Sequence, residues 1–271
     1  MEPHYYETYY QHETRHWWFR WRYDLVERVI ADLPATPGRP LMLDAGCGTG
    51  QMLRHLQQFG DAIGFDVSAG ALAFARSRGA ADLVLGTVAQ PPFPPESFDR
   101  IFILDVIEHV DDDLGMLSGL HALLKPGGHL VATVPAYPSL WSDHDRINRH
   151  CRRYLAPQVD RLLQEAGFEI GRVAYCNSLL FPIVYPLRRV MALLQRRQNN
   201  EGQDLESDLH EHSAVLNEAL FRLLRLENRL TRRWNPPFGV SILAIARKPA
   251  VDSAAAAVSG DVARAAAGVA D

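Results

Sequence analysis

Residues 41–50 read Leu-Met-Leu-Asp-Ala-Gly-Cys-Gly-Thr-Gly, placing one acid and three glycines where an apolar strand gives way to a helix. The spacing Asp44-x-Gly46-x-Gly48-x-Gly50 lets the backbone turn sharply and approach a ligand closely, because glycine has no Cβ. Asp44 makes the loop a poor host for a diphosphate and a good one for a cationic, amine-bearing ligand. A second apolar run, Ala62–Phe65, ends in Asp66, 22 residues after Asp44. That is about one strand-helix-strand unit, and the second carboxylate of such a unit can accept hydrogen bonds from a ribose. Two acids and one glycine turn would therefore frame a nucleoside. The G-x-G-x-x-G loop of dinucleotide enzymes fits poorly, since the third glycine comes one residue early.

The elements around this loop follow from periodicity. Short apolar runs predict strands at Leu41–Leu43, Ala62–Phe65, Leu83–Leu85, Arg100–Leu104, His129–Val134, Phe168–Tyr175 and Val240–Ala246. Helical spacing falls between them, from about Gln51, over Ala69–Arg78, over Leu114–Leu124 and over Pro157–Ala166. Lys125-Pro126-Gly127-Gly128 reads as a breaker before the fifth strand. The alternation predicts an α/β fold, a doubly wound, seven-stranded, mostly parallel sheet covered on both faces.

Three segments stand apart from that pattern. Residues 1–30 hold three of the five Trp and five of the nine Tyr and predict an aromatic helical lid. Trp18, Trp21, Leu25 and Val29 share a helical face for docking, and Tyr5, Tyr6, Tyr9, Tyr10 and Trp17 are candidates to wall a pocket. The main domain is expected over 38–249, with a helical insertion at 178–235. The insertion combines an apolar, proline-broken run with an amphipathic helix bearing Leu209, Leu216, Leu220, Leu223, Leu226 and Leu230. Residues 250–271 are alanine-rich and read as a disordered tail.

The glycine loop resembles motif I of the class I S-adenosylmethionine-dependent methyltransferases, in a type 11/12-like branch, and further motifs follow in that family's order. The resemblance covers about residues 40–175 and the last strand, and implies a Rossmann-like methyltransferase fold with S-adenosyl-L-methionine as methyl donor. It assigns Asp44, Gly46, Cys47, Gly48, Gly50, Asp66, Val67, Thr87, Val88 and Leu104 to the donor site. Thr87 stands where the family usually has an acid for the adenine amino group. Phe98–Phe102 followed by Leu104-Asp105-Val106-Ile107-Glu108-His109 resembles the fourth-strand motif that faces the donor methyl. Asp105, Glu108 and His109 offer a base or ligands for a divalent ion; with no full oxygen-ligand set visible, no metal is assigned. Beyond the fifth strand, His144 lies between Asp143 and Asp145, and His150 precedes Arg152 and Arg153. His150, His144 and His109 are the catalytic candidates, His150 as general base and the arginines as anchors for an anionic acceptor. Methyl transfer needs mostly alignment, so a base is required only for a hydroxyl or ammonium acceptor.

Composition narrows the partners. A net charge of −4 and a pI near 6.3 do not suit a general nucleic-acid binder. The three cysteines, Cys47, Cys151 and Cys176, lack metal-ligand spacing and suggest a reducing compartment. The N-terminus has no signal-peptide pattern and no run reaches the ~20 apolar residues of a spanning helix, so a cytoplasmic enzyme is expected. Its acceptor is read as a small or lipid-like molecule, methylated on oxygen or nitrogen; the alternative is a donor-binding module without transfer activity. Leu179–Leu187 followed by Arg188, Arg189, Arg196 and Arg197 suggests weak peripheral contact with an anionic membrane. The oligomeric state is not legible.

Overall fold

The computed structural model describes residues 3–88, 90–197, 213–232 and 234–250. Two N-terminal helices, α1 (Pro3–His12) and α2 (Trp17–Asp32), precede β1 (Leu41–Ala45), α3 (Gln51–Leu56), β2 (Asp61–Asp66), α4 (Ala69–Ser77) and β3 (Leu83–Leu85). The chain continues through β4 (Phe98–Leu104), α5 (Asp113–Leu123), β5 (Leu124–Pro135), α6 (Asp143–Ile147), α7 (Ala156–Glu165) and β6 (Glu169–Cys176). The insertion forms α8 (Phe181–Arg197) and α9 (Ala214–Leu230) before β7 (Ser241–Arg247). The seven strands lie in the order β3-β2-β1-β4-β5-β7-β6, parallel except for β7, which runs antiparallel to both neighbours. This is the expected Rossmann-like sheet.

Strand alternation divides the core into two layers. Leu43, Ile101, Ile103, Leu130 and Ala132 point to one face and pack with Leu117 and Leu120 of α5 and Leu163 of α7. Met42, Phe102, Val131 and Leu243 point to the other and meet Trp21 and Leu25 of α2, Leu53 of α3, Leu72 of α4 and Leu224 of α9. The strands are apolar on both sides because both faces are covered.

The structure moves three sequence boundaries. β5 begins at Leu124, so the Lys-Pro-Gly-Gly stretch lies inside the strand instead of before it. A register shift between Phe98 and Arg100 absorbs it, and Gly127 takes the left-handed φ of 78° that the irregularity needs. α8 runs unbroken through Pro182 and Pro186: Pro182 sits in the first turn, where no N–H is required, and only Pro186 is interior. The N-terminal segment is not one lid. Most of α2 is core, with Phe19 and Trp21 each only 1% exposed, while α1 packs on α4 through Tyr10 and Phe74.

α9 is rotated away from the face its leucines predict. Leu216, Leu223, Leu226 and Leu230 are exposed, and Leu224, Glu227 and Asn228 are buried, with Leu220 against the core. Hydrogen bonds set the rotation. Trp21 Nε1 donates to Asn228 Oδ1 at 3.0 Å, Asn228 Nδ2 donates to Asp24, and the Glu227 carboxylate accepts the N–H groups of Ser178 and Leu179 at 2.8 and 2.9 Å. Leu209 and residues 251–271 of the predicted tail lie outside the described residues.

Candidate active site

A cavity of about 1240 Å³ opens at the carboxyl ends of β1, β2 and β4, where the parallel order turns at β1. Asp44, Gly46, Cys47, Gly48, Asp66, Val67, Thr87, Val88 and Leu104 line one end; His109, His144 and His150 line the same space further on. Of the residues assigned to the donor site and the three histidines, Gly50 alone is not in the lining. Its φ of 83° starts α3, and a Cβ there would stand 2.6 Å from the Ala75 Cβ, so this glycine serves helix packing.

The first end is a cradle with polar atoms to spare. A Cβ built on Gly48 would meet nothing within 4 Å, leaving open space beside the loop. Gly46 and Cys47 donate to the Phe65 carbonyl, and Gly48 N–H and Ser68 N–H donate to opposite oxygens of Asp66 at 2.9 and 2.8 Å, which fixes that carboxylate toward the cavity. Asp44 is buried, and its Oδ2 has no partner. Burial, against the pull of Arg22, and the nearby Asp66 and Glu13 raise its pKa to about 7. An orphaned acid oxygen, a second acid and an open glycine turn fit a nucleoside carrying a positive amine. Thr87 and Val88 line the same end of the cavity.

The roof was only partly legible. Tyr6, Tyr9 and Trp17 line the cavity as anticipated, whereas Tyr10 packs on Phe74 and Arg78. Glu13, Trp18 and Arg22 were missed. Glu13 is 6% exposed, accepts from the Thr49 hydroxyl and pairs with Arg78 at 3.1 Å, clasping the N-terminal segment to the glycine loop. Arg22 Nη1 pairs with Asp105 at 2.9 Å, and Asp105 also accepts from Thr133. These partners make Asp105 a structural anchor rather than a base. No periodic signal marks an acid or arginine whose partner lies tens of residues away.

The second end is built by a 3-10 turn, Ile107–His109, and the loop carrying α6. The Cys151 N–H donates to the Glu108 carbonyl at 2.6 Å, joining the two segments. Asp145 is fully buried, closes a capping box at Ser142, and accepts from Arg153 Nε at 2.7 Å while meeting His150 Nδ1 at 2.8 Å. The ion pairs hold its carboxyl well below the usual range despite burial. Asp145 thus pairs with His150, while His144 Nε2 meets the Asn148 amide at 3.1 Å. Arg153 is committed to Asp145 and the Ala136 carbonyl, and Arg152 to Asp113 beside Tyr154, so both arginines lock the loop instead of waiting for an anion. Glu108 is 0% exposed and neither of its oxygens has a hydrogen-bond partner. Burial and the neighbouring Asp105 push its pKa well up, and burial followed by the nearby His150 lowers that of His109 to about 4. Asn177, 0% exposed with φ 59°, also faces the cavity with its amide unpartnered.

The chain is similar to proteins of known family and fold. Residues 43–132 match the family model described as a methyltransferase domain. The chain is 29% identical over 67% of its length to a malonyl-[acyl-carrier protein] O-methyltransferase of Serratia marcescens, spanning 73% of that protein. It is 28% identical over 54% of its length to a demethylmenaquinone methyltransferase of Geobacillus kaustophilus, spanning 64% of it. A further curated relative, 38% identical over 125 residues, is spanned over 29% of its length. Among solved structures, a phosphoethanolamine N-methyltransferase 2 of Haemonchus contortus with S-adenosyl-L-methionine shares the fold, with TM-score 0.54, 22% identity, and coverage of 83% of this chain and 52% of that one.

Proposed function

We propose that the chain is a class I S-adenosylmethionine-dependent methyltransferase that methylates an oxygen or nitrogen of a small or lipid-like acceptor. The observation that carries this reading is one undivided cavity with the Asp44–Asp66 cradle at one end and Glu108, His109 and His150 at the other. A donor bound in the cradle supplies an electrophilic methyl: the acceptor-to-carbon bond forms as the sulfur-to-carbon bond breaks, and a hydroxyl or ammonium acceptor gives up a proton. Asp44 and Asp66 hold the donor's amine and ribose. Trp17, Trp18, Phe19, Leu180 and Val184 exclude water from the acceptor's apolar body. In this reading the acceptor's proton passes to the Glu108–His109–His150 cluster, with His150 oriented by Asp145 and His144 lining the approach.

A lipid-like acceptor is favoured by α8. Ile183, Leu187, Val190 and Met191 recur at helical spacing, are 51–65% exposed, and continue through Leu187 and Met191 into the cavity wall. Arg188 and Arg189 sit beside them, a pattern suited to weak contact with an anionic lipid surface. No helix among the described residues is long and apolar enough to cross a membrane. Three free thiols fit a reducing, cytoplasmic setting.

The test is incubation of the protein with methyl-labelled S-adenosylmethionine and a fractionated cell extract. Label is expected in an organic-soluble or small-molecule fraction. Donor binding with no labelled product in any fraction would favour the donor-binding module instead.

A further inference from the structure

We propose that Glu108, His109 and His150 form a site for one first-row divalent transition cation, facing the acceptor end of the cavity. Each residue offers one ligand atom, and the three atoms lie within 4.8 Å of one another. His150 Nε2 stands 3.9 Å from Glu108 Oε1. Ligands about 2 Å from a four-coordinate ion are roughly 3.3 Å apart, so closing the site takes only a small side-chain contraction.

Two further features point to a cation. Glu108 is completely buried, and both its carboxylate oxygens lack a hydrogen-bond partner, although a buried polar atom is nearly always satisfied. Each histidine already spends one nitrogen on an acceptor that orients the ring: His150 Nδ1 on Asp145, and His109 on the Arg149 backbone carbonyl. The rings stand nearly perpendicular, 87° apart with centroids at 4.6 Å, and His150 turns its remaining nitrogen, Nε2, toward the carboxylate. An imidazole whose second nitrogen is bound to a carboxylate or carbonyl is the usual supporting arrangement of a metal-ligating histidine.

The ligand chemistry selects the ion. Two imidazoles and one carboxylate suit zinc, iron, cobalt, nickel or manganese, whereas magnesium and calcium need oxygen-dominated shells. Three protein ligands beside a cavity leave at least one position open. Resting on the methyl-transfer reading, that open position would hold the acceptor's heteroatom and favour its deprotonated form, taking over the proton-accepting work of the bare cluster.

Chelator-treated protein titrated with Zn²⁺ in a calorimeter, without donor or acceptor, tests the site directly. One equivalent is expected to bind, and Co²⁺ is expected to show the visible absorption of a low-symmetry nitrogen and oxygen shell. Glu108→Gln and His150→Ala should each weaken binding by about tenfold or more. S-adenosylhomocysteine binding on the same samples reports the fold and the donor site separately. If Glu108→Gln loses both, His109→Gln, at the more open edge, decides. No saturable heat and no cobalt absorption in the unaltered protein, or unchanged affinity in folded variants, would overturn the proposal while leaving the methyltransferase reading intact.

Discussion

At the scale of single residues, the donor end makes a pH-dependent statement. Asp44 has its pKa raised to about 7 in the folded protein against an ordinary value near 4, so the unfolded chain releases this proton first. Stability from the neutral acid is complete below about pH 4 and is lost as pH rises through about 7. A cationic ligand opposite the ionised acid offsets that loss. The thermal shift produced by S-adenosylhomocysteine is therefore expected to grow between about pH 5 and about pH 8, and Asp44→Asn should flatten the dependence. Equal shifts across that range would detach Asp44 from the ligand. The glycines separate by the same logic. Gly48→Ala, with open space beside its Cβ, should cost only about 1–2 kcal/mol through its left-handed φ yet weaken donor binding. Gly50→Ala, which collides with Ala75, should lower the melting temperature more without facing the ligand.

At the scale of elements, α2 and α9 form a tie that runs through polar atoms. Trp21→Ala removes a side chain 1% exposed and strands the Asn228 amide, a change expected to cost about 3–5 kcal/mol by chemical denaturation. The strands and the glycine loop were readable because burial on both faces leaves apolar runs, and because a sharp turn demands glycine at fixed intervals. The facing of α9 was not. Its leucines have stronger helical spacing than its packed face, but Glu227 and Asn228 find partners in Ser178, Leu179, Trp21 and Asp24, remote in sequence. The same blindness hid Glu13 and Arg22, whose meaning depends on Thr49, Arg78 and Asp105. His109, His144 and His150 all line the cavity, and the pairing of His150 with Asp145 is a choice made by loop geometry that spacing does not encode.

At the scale of the whole molecule, exposed leucines on α9 and the exposed face of α8 give the insertion most of the exposed large apolar side chains of the described residues. If α8 meets lipid, the protein should co-sediment with vesicles rich in anionic phosphatidylglycerol more than with neutral phosphatidylcholine, and less so as salt rises. Ile183→Glu with Val190→Glu should abolish the difference; self-association by sedimentation velocity with no vesicle binding would assign the face to a second copy instead. The sheet gives that insertion a particular freedom. Cys176 and Ser241 face each other across the β6–β7 ladder, and Gly239 lies backbone to backbone with Cys176, so the chain departs and returns at one spot on the sheet. The described helices between, α8 and α9, sit like a cartridge in a socket. A lineage could exchange one such cartridge for another, and with it the molecules accepted, without re-engineering the half of the machine that handles the methyl donor.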